Sequence, residues 1–318
     1  MKKNNSYFRD DTLIHCYQNT IDGFLLFYTI SDYLVFFTRY CVTAKKYGVI
    51  TYSLCIMPDH VHSGVYIKSR KQLSGFWDEL QTLTAKDNNR ICKRKGPLYN
   101  PGFGFAVKEG DKQIRTNLVY IGNNPVERHL VRLPEEYRWN FLAYSKSDHP
   151  FSKKLVIRRA STSMKKAVRT VKDEYRRNQP LSYPLLQRLF KSLNKEESIQ
   201  LVDLIVSTYS VIDYNLINKS FGSAQSAIQA MHYNTGSEYD IKESFTGRSD
   251  AHYSKFTSYL LDKLQIEDIH QVLSYSEEKR IALYYELSDV FYSVPTKQIC
   301  KYLRLKSEPP SRHAVFHK

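Results

Sequence analysis

Two short alternating stretches, residues 49–56 and 60–68, are separated only by Met57-Pro58-Asp59. Alternation of this kind marks β-strands, and Pro-Asp marks the turn between them. The second stretch begins with His60 and His62. In a pleated strand, residues i and i+2 point to the same face. The chain must therefore set two imidazoles side by side on one face of a sheet.

The rest of the N-terminal half supplies partners for these strands. Residues 12–30 read as a β-hairpin, with Leu13, His15 and Tyr17 on one face and Asp22-Gly23 at the turn. Ser31 caps a helix that carries Tyr33, Val35, Phe36 and Tyr40 and ends at Gly48. Ser69 opens a long amphipathic helix through Leu73, Phe76, Trp77, Leu80 and Leu83. A basic loop follows, then a short strand near 105–108 and a helix capped by Asp111 that carries Ile114, Leu118 and Ile121. The order β-α-β-β-α-β-α is a split β-α-β pattern and predicts an α+β fold with a ferredoxin-like antiparallel sheet. We place this first domain at 1–150 and a basic linker at 151–180. A mainly helical region at 181–318 follows, with a helix-turn-helix at about 276–305.

Lysine and arginine outnumber aspartate and glutamate 47 to 32, a net charge of +15. A field of that sign draws polyanions, nucleic acid above all. The five cysteines, at 16, 41, 55, 92 and 300, form no C-x-x-C pair. That excludes a cysteine-rich zinc site and a disulfide framework, and fits a reducing cytoplasm. The N-terminus leads into no apolar signal core. The apolar run 24–37 is too short to span a bilayer and contains Asp32, so no membrane partner is expected.

The helix after 111 holds Tyr120-Ile121-Gly122-Asn123-Asn124-Pro125, which places Tyr120 and Asn124 four apart on one face. Two imidazoles and an amide oxygen, from His60, His62 and Asn124, suit Mg²⁺ or Mn²⁺ with positions left for phosphate and water. A phenol beside such an ion can attack a phosphodiester and hold the DNA end covalently. A lone His-x-His more often joins two unrelated residues, and a helical tyrosine is usually core. The joint pattern is what singles out Tyr120.

Three segments, Met57-Pro58-Asp59-His60-Val61-His62, Tyr120-Ile121-Gly122-Asn123-Asn124-Pro125-Val126 and Tyr137-Arg138-Trp139-Asn140, stand in the order and spacing of a known family. Over residues 10–145 the chain resembles the single-tyrosine HUH transposases, and most closely their REP-associated tyrosine transposase branch. The resemblance implies a nuclease acting on single-stranded DNA. Tyr120 would form a 5′-phosphotyrosine link, with His60, His62 and Asn124 as ligands of Mg²⁺ or Mn²⁺. It also implies hairpin recognition and a homodimer, and with the cytoplasm indicated by the cysteines a nucleoid-associated protein is expected. Asp59 replaces the family's asparagine, Ser63-Gly64 its apolar pair, and Asn140-Phe141 its small hydroxyl residues. Pro125 disfavours helical geometry at Asn124, so Asn123 or a water is the alternative third ligand.

Charge suggests the DNA contacts: Lys93, Arg94 and Lys95 in the basic loop, Lys108 and Arg115 around the Tyr120 helix, and Lys153, Lys154, Arg158 and Arg159 in the linker. Tyr99 and Phe103 are candidates for base stacking. The competing reading is a DNA-binding regulator of the same fold that does not cleave. A histidine-motif nucleotide hydrolase would need a third alternating histidine where Gly64 stands. A zinc hydrolase would need a further ligand at a spacing not found here. Replication initiators and relaxases share the histidine chemistry but are usually larger and often carry several tyrosines.

Overall fold

The computed structural model describes residues 12–233 and 250–310. The N-terminal segment, read as lacking a signal core, lies outside the described residues. The chain is α+β. In order it forms β1 (Leu13–Asn19), α1 (Ile30–Tyr47), β2 (Ile50–Ile56), β3 (His60–Tyr66), α2 (Arg70–Ile91), β4 (Gly104–Lys108) and α3 (Gly110–Glu127). The helices α4 (Thr162–Arg176), α5 (Tyr183–Phe190), α6 (Lys195–Tyr209), α7 (Asn215–Phe221) and α8 (Ala224–Tyr233) follow. The last group is α9 (His252–Leu264), α10 (His270–Leu273), α11 (Glu277–Val290) and α12 (Thr296–Leu303).

The four strands make one sheet in the order β2-β3-β1-β4, antiparallel throughout. The β2–β3 turn is closed by Met57 N–H donating to the His60 carbonyl at 2.9 Å. Neighbouring residues on β3 point to opposite faces. Ser63 meets the Tyr40 hydroxyl of α1 at 2.5 Å, whereas the ring of His62 lies 5.3 Å from that of Tyr120 on α3. The sheet is thus sandwiched between α1 and α2 on one face and α3 on the other.

The first hairpin does not form. β1 ends at Asn19, and Asp22 and Gly23 take positive φ in a short 3-10 turn. The next residues run along the β2–β3 turn instead, where the amides of Leu26 and Phe27 both donate to the Pro58 carbonyl. Leu25 is buried in a different core, where its side chain is removed from water. The cap of α1 is Thr29, which shares a reciprocal capping box with Asp32, rather than Ser31.

Where a linker was expected, α4 buries Met164, Ala167, Val168 and Val171 and packs on α6. Its apolar stripe belongs to one core with the sheet and α1–α8. A second core gathers Phe256, Leu260, Leu287, Ile299, Tyr302 and Leu303 around Leu25. The pair read as a helix-turn-helix lies here. α11 and α12 do form a helical pair, but Gln298 to Cys300 and Tyr302 to Leu305 are buried. Ile299, Tyr302 and Leu303 turn one side of α12 into the core, while Lys297 stays exposed and Lys301 pairs with Asp59. Among the described residues, no helix is long and apolar enough to cross a membrane.

Candidate active site

β1 and β3 pair with Tyr17 opposite His62 and Asn19 opposite His60. The period of two then brings His15, His60 and His62 onto the face covered by α3. Helical spacing sets Asn117, Tyr120 and Asn124 along one side of α3, and from it Asn117 and Tyr120 meet the histidines. The ring of Tyr120 sits 5.3 Å from His62 and 5.7 Å from His15. The two ligand candidates, His60 and His62, lie edge to face at 4.8 Å. Tyr120, His60 and His62 are therefore gathered in one buried cluster, and Asn124, one helical turn on from Tyr120, is buried as well.

Each histidine of the pair has its Nδ1 anchored. His60 Nδ1 meets Asp59 Oδ1 at 2.7 Å, and His62 Nδ1 meets His15 Nε2 at 3.0 Å. Anchoring one ring nitrogen orients the other, the arrangement expected of imidazoles that serve as ligands. Asn124 Oδ1 is buried with no hydrogen-bond partner among the described residues. Such an oxygen is costly unless something electropositive meets it. No group of three or more His, Cys, Asp or Glu side chains able to hold a metal occurs among the described residues. The donor set here is two imidazoles and an amide, which fits a divalent ion that takes its other ligands from water and phosphate.

Pro125 does not break α3, which runs on to Glu127. Proline removes one helical N–H, yet Arg128 N–H still reaches the Asn124 carbonyl at 3.1 Å. Asn124 therefore keeps its helical place one turn after Tyr120. Asn123 is occupied elsewhere: its Nδ2 donates to the Met231 carbonyl of α8 at 3.0 Å. A Cβ on Gly122 would meet Met231 Sδ at 2.4 Å, so glycine is what lets α8 approach so closely. The segment Tyr137–Asn140 is a brace. Tyr137 donates to the Ile56 carbonyl at 2.8 Å, Trp139 stacks on Tyr33 at 4.7 Å, and Asn140 Nδ2 donates to the Gly122 carbonyl at 2.7 Å. Asn140 thus works as a clamp on α3.

Sequence reading missed His15 and Asn117. Burial lowers the His15 pKa, and the neighbouring His62 and Lys108 lower it further, so His15 is neutral. His15 Nδ1 stands 2.9 Å from the Asn117 side-chain amide. For His62 to offer the Nε2 lone pair, its proton must sit on Nδ1 and be donated to His15 Nε2. His15 then carries its own proton on Nδ1 and needs the oxygen of Asn117 as acceptor. The amide presents Nδ2 here, which fits the opposite tautomer; a half-turn of Asn117 exchanges the two. Replacing His15 with Phe is expected to weaken Mn²⁺ binding by about 10- to 100-fold, the usual cost of losing a partner behind a ligand. A Mn²⁺ titration showing unchanged affinity would refute this role for His15.

The predicted DNA contacts divide. Lys93, Lys95, Arg115, Lys153, Lys154, Arg158 and Arg159 are exposed. Arg94 is half-buried and braces its own loop through Asn89 and Pro97, each at 2.9 Å. Lys108 is fully buried behind the site, beside His15, and is not a surface contact. Tyr99 is buried next to Thr20, and Phe103 stacks on Trp77 at 5.6 Å, so both belong mainly to packing.

No family model matches the chain, and no curated protein matches it. Among solved structures, that of a REP-associated tyrosine transposase bound to a REP hairpin matches 46% of this chain and 85% of its own, at 16% identity and a TM-score of 0.40.

Proposed function

We propose that the chain is a metal-dependent single-stranded DNA nuclease and strand transferase, built on a ferredoxin-like HUH unit, with Tyr120 as its nucleophile. The observation that carries this reading is the meeting of His62 on β3 with Tyr120 on α3 beside His60, with both histidines anchored at Nδ1 and Asn124 Oδ1, one helical turn on from Tyr120, buried without a hydrogen-bond partner among the described residues. His60, His62 and Asn124 would hold Mg²⁺ or Mn²⁺, which when bound would polarise the scissile phosphate and offset the charge that builds on it.

The Tyr120 oxygen attacks phosphorus and loses its phenolic proton. The bond from phosphorus to the 3′ oxygen breaks, and that oxygen leaves as a 3′ hydroxyl after taking up a proton. The 5′ phosphate remains on Tyr120, and the stored ester allows a 3′ hydroxyl to attack and rejoin the strand. Exposed Lys93, Lys95, Arg115, Lys153, Lys154, Arg158 and Arg159 would take the DNA backbone. Hairpins of single-stranded DNA would be the substrates, and a homodimer the working form.

The test is a covalent adduct between the full chain and hairpin oligonucleotides in Mg²⁺ or Mn²⁺. The expected product is metal-dependent and maps by peptide mass to Tyr120. Tight hairpin binding with no adduct at any metal concentration would instead favour the non-cleaving regulator.

A further inference from the structure

The carboxylate behind His60 is held from the far end of the chain. Asp59 presents Oδ1 to His60 and Oδ2 to the ammonium of Lys301, on α12. Two further links tie α12 to the turn before His60. The Leu25 amide donates to the Lys301 carbonyl at 3.3 Å, and the next two amides, of Leu26 and Phe27, grip the Pro58 carbonyl at 2.8 and 3.0 Å. Arg304, at the end of α12 with φ of 53°, reaches Asn88 at 3.1 Å and the Leu25 carbonyl at 3.0 Å. The groups that bear on Asp59 are His60, Lys301 and Arg128, with Asp250 as the opposing charge. Asp59 is 8% exposed, so its charge needs a fixed counter-ion.

We infer that Lys301 is a positioning residue of the active site, acting through Asp59 to fix the ring of His60, and that the C-terminal helices complete the site. The inference rests on the nuclease reading above. With Lys301 in place, both carboxylate oxygens are committed and the ring of His60 has one orientation. Without it, Asp59 is free to turn toward Arg128, and His60 loses its anchor. An asparagine at 59 would still accept from His60 through Oδ1 and would need no counter-ion. Lys301 thus answers the charge that Asp59 introduces.

The test compares the full chain with Lys301→Met, Lys301→Arg and the double variant Asp59→Asn/Lys301→Met. Free Mn²⁺ is measured by electron paramagnetic resonance without DNA, and adduct yield is measured at saturating Mn²⁺. Lys301→Met is expected to weaken Mn²⁺ binding by about tenfold, the scale for an outer partner of a ligand, with adduct formation at saturating metal within about threefold of wild type. Lys301→Arg keeps the cation and should bind Mn²⁺ as wild type does. The double variant should recover most of the lost affinity, which a packing role for Lys301 does not predict. Unchanged affinity in Lys301→Met, or a double variant as weak as the single, overturns the positioning role and leaves the nuclease reading standing. A wild-type chain that binds no Mn²⁺ and forms no adduct overturns both.

Discussion

Tyr120→Phe is expected to abolish the covalent DNA adduct, lowering its rate of formation by more than about 1,000-fold, as loss of a nucleophile does. Binding of single-stranded hairpin DNA should stay near wild type. The change removes one oxygen and keeps the ring that packs at 5.3 Å from His62 and 5.7 Å from His15. Tyr120 is 2% exposed, so a larger change such as Tyr120→Ala would open a cavity and confuse chemistry with folding. Loss of adduct in Tyr120→Phe with an unchanged melt would assign the chemistry to the phenol oxygen. The chain has 25 tyrosines. An adduct of undiminished yield would place the nucleophile on another of them and break the link drawn here between α3 and the histidine pair.

The four residues of the candidate site were legible because each lies on a regular element whose period places it. His60 and His62 share a strand face by the period of two. Tyr120 and Asn124 share a helix face by spacing of four, and α3 keeps that spacing through Pro125. The partners behind them were not legible. His15 reaches His62 only because β1 pairs with β3, and a local hairpin over 12–30 would have given β1 a different neighbour. Residues 24–28 stand outside the sheet, and Leu25 is buried among residues of α9, α11 and α12. Tertiary burial of this kind overrides a sound turn signal. Lys301 lies 242 positions from Asp59, a distance over which no sequence period operates. The terminal helix pair was visible as a pair. Which side of α12 turned inward depended on a surface it had yet to meet.

Replacing His270 with Leu is expected to destabilise the folded chain by about 3–5 kcal/mol near pH 6.5, the cost of stranding a buried charge. His270 and Asp32 are each 2% exposed. His270 Nε2 lies 3.0 Å from Asp32 Oδ1, and its Nδ1 lies 2.6 Å from Asp268. Asp32 also takes the Tyr183 hydroxyl at 2.7 Å and caps α1. One carboxylate therefore joins α1, α5 and α10. Burial works to lower the His270 pKa, but Asp32 and Asp268 outweigh it and raise it to about 10. Burial works to raise Asp32, and the facing His270 outweighs it and holds that carboxyl below its ordinary value. The histidine's contribution is thus complete below its unfolded pKa, about 6.5, and is lost as pH rises toward 10. Urea melts of wild type and His270→Leu should differ most near pH 6.5, and the gap should narrow toward pH 10 as the imidazolium loses its proton. A gap that stays constant across that range would show that His270 acts by packing alone. Because α10 sits in the unit that delivers Lys301 to Asp59, the same variant should also weaken Mn²⁺ binding, and it should do so without touching any residue of the site.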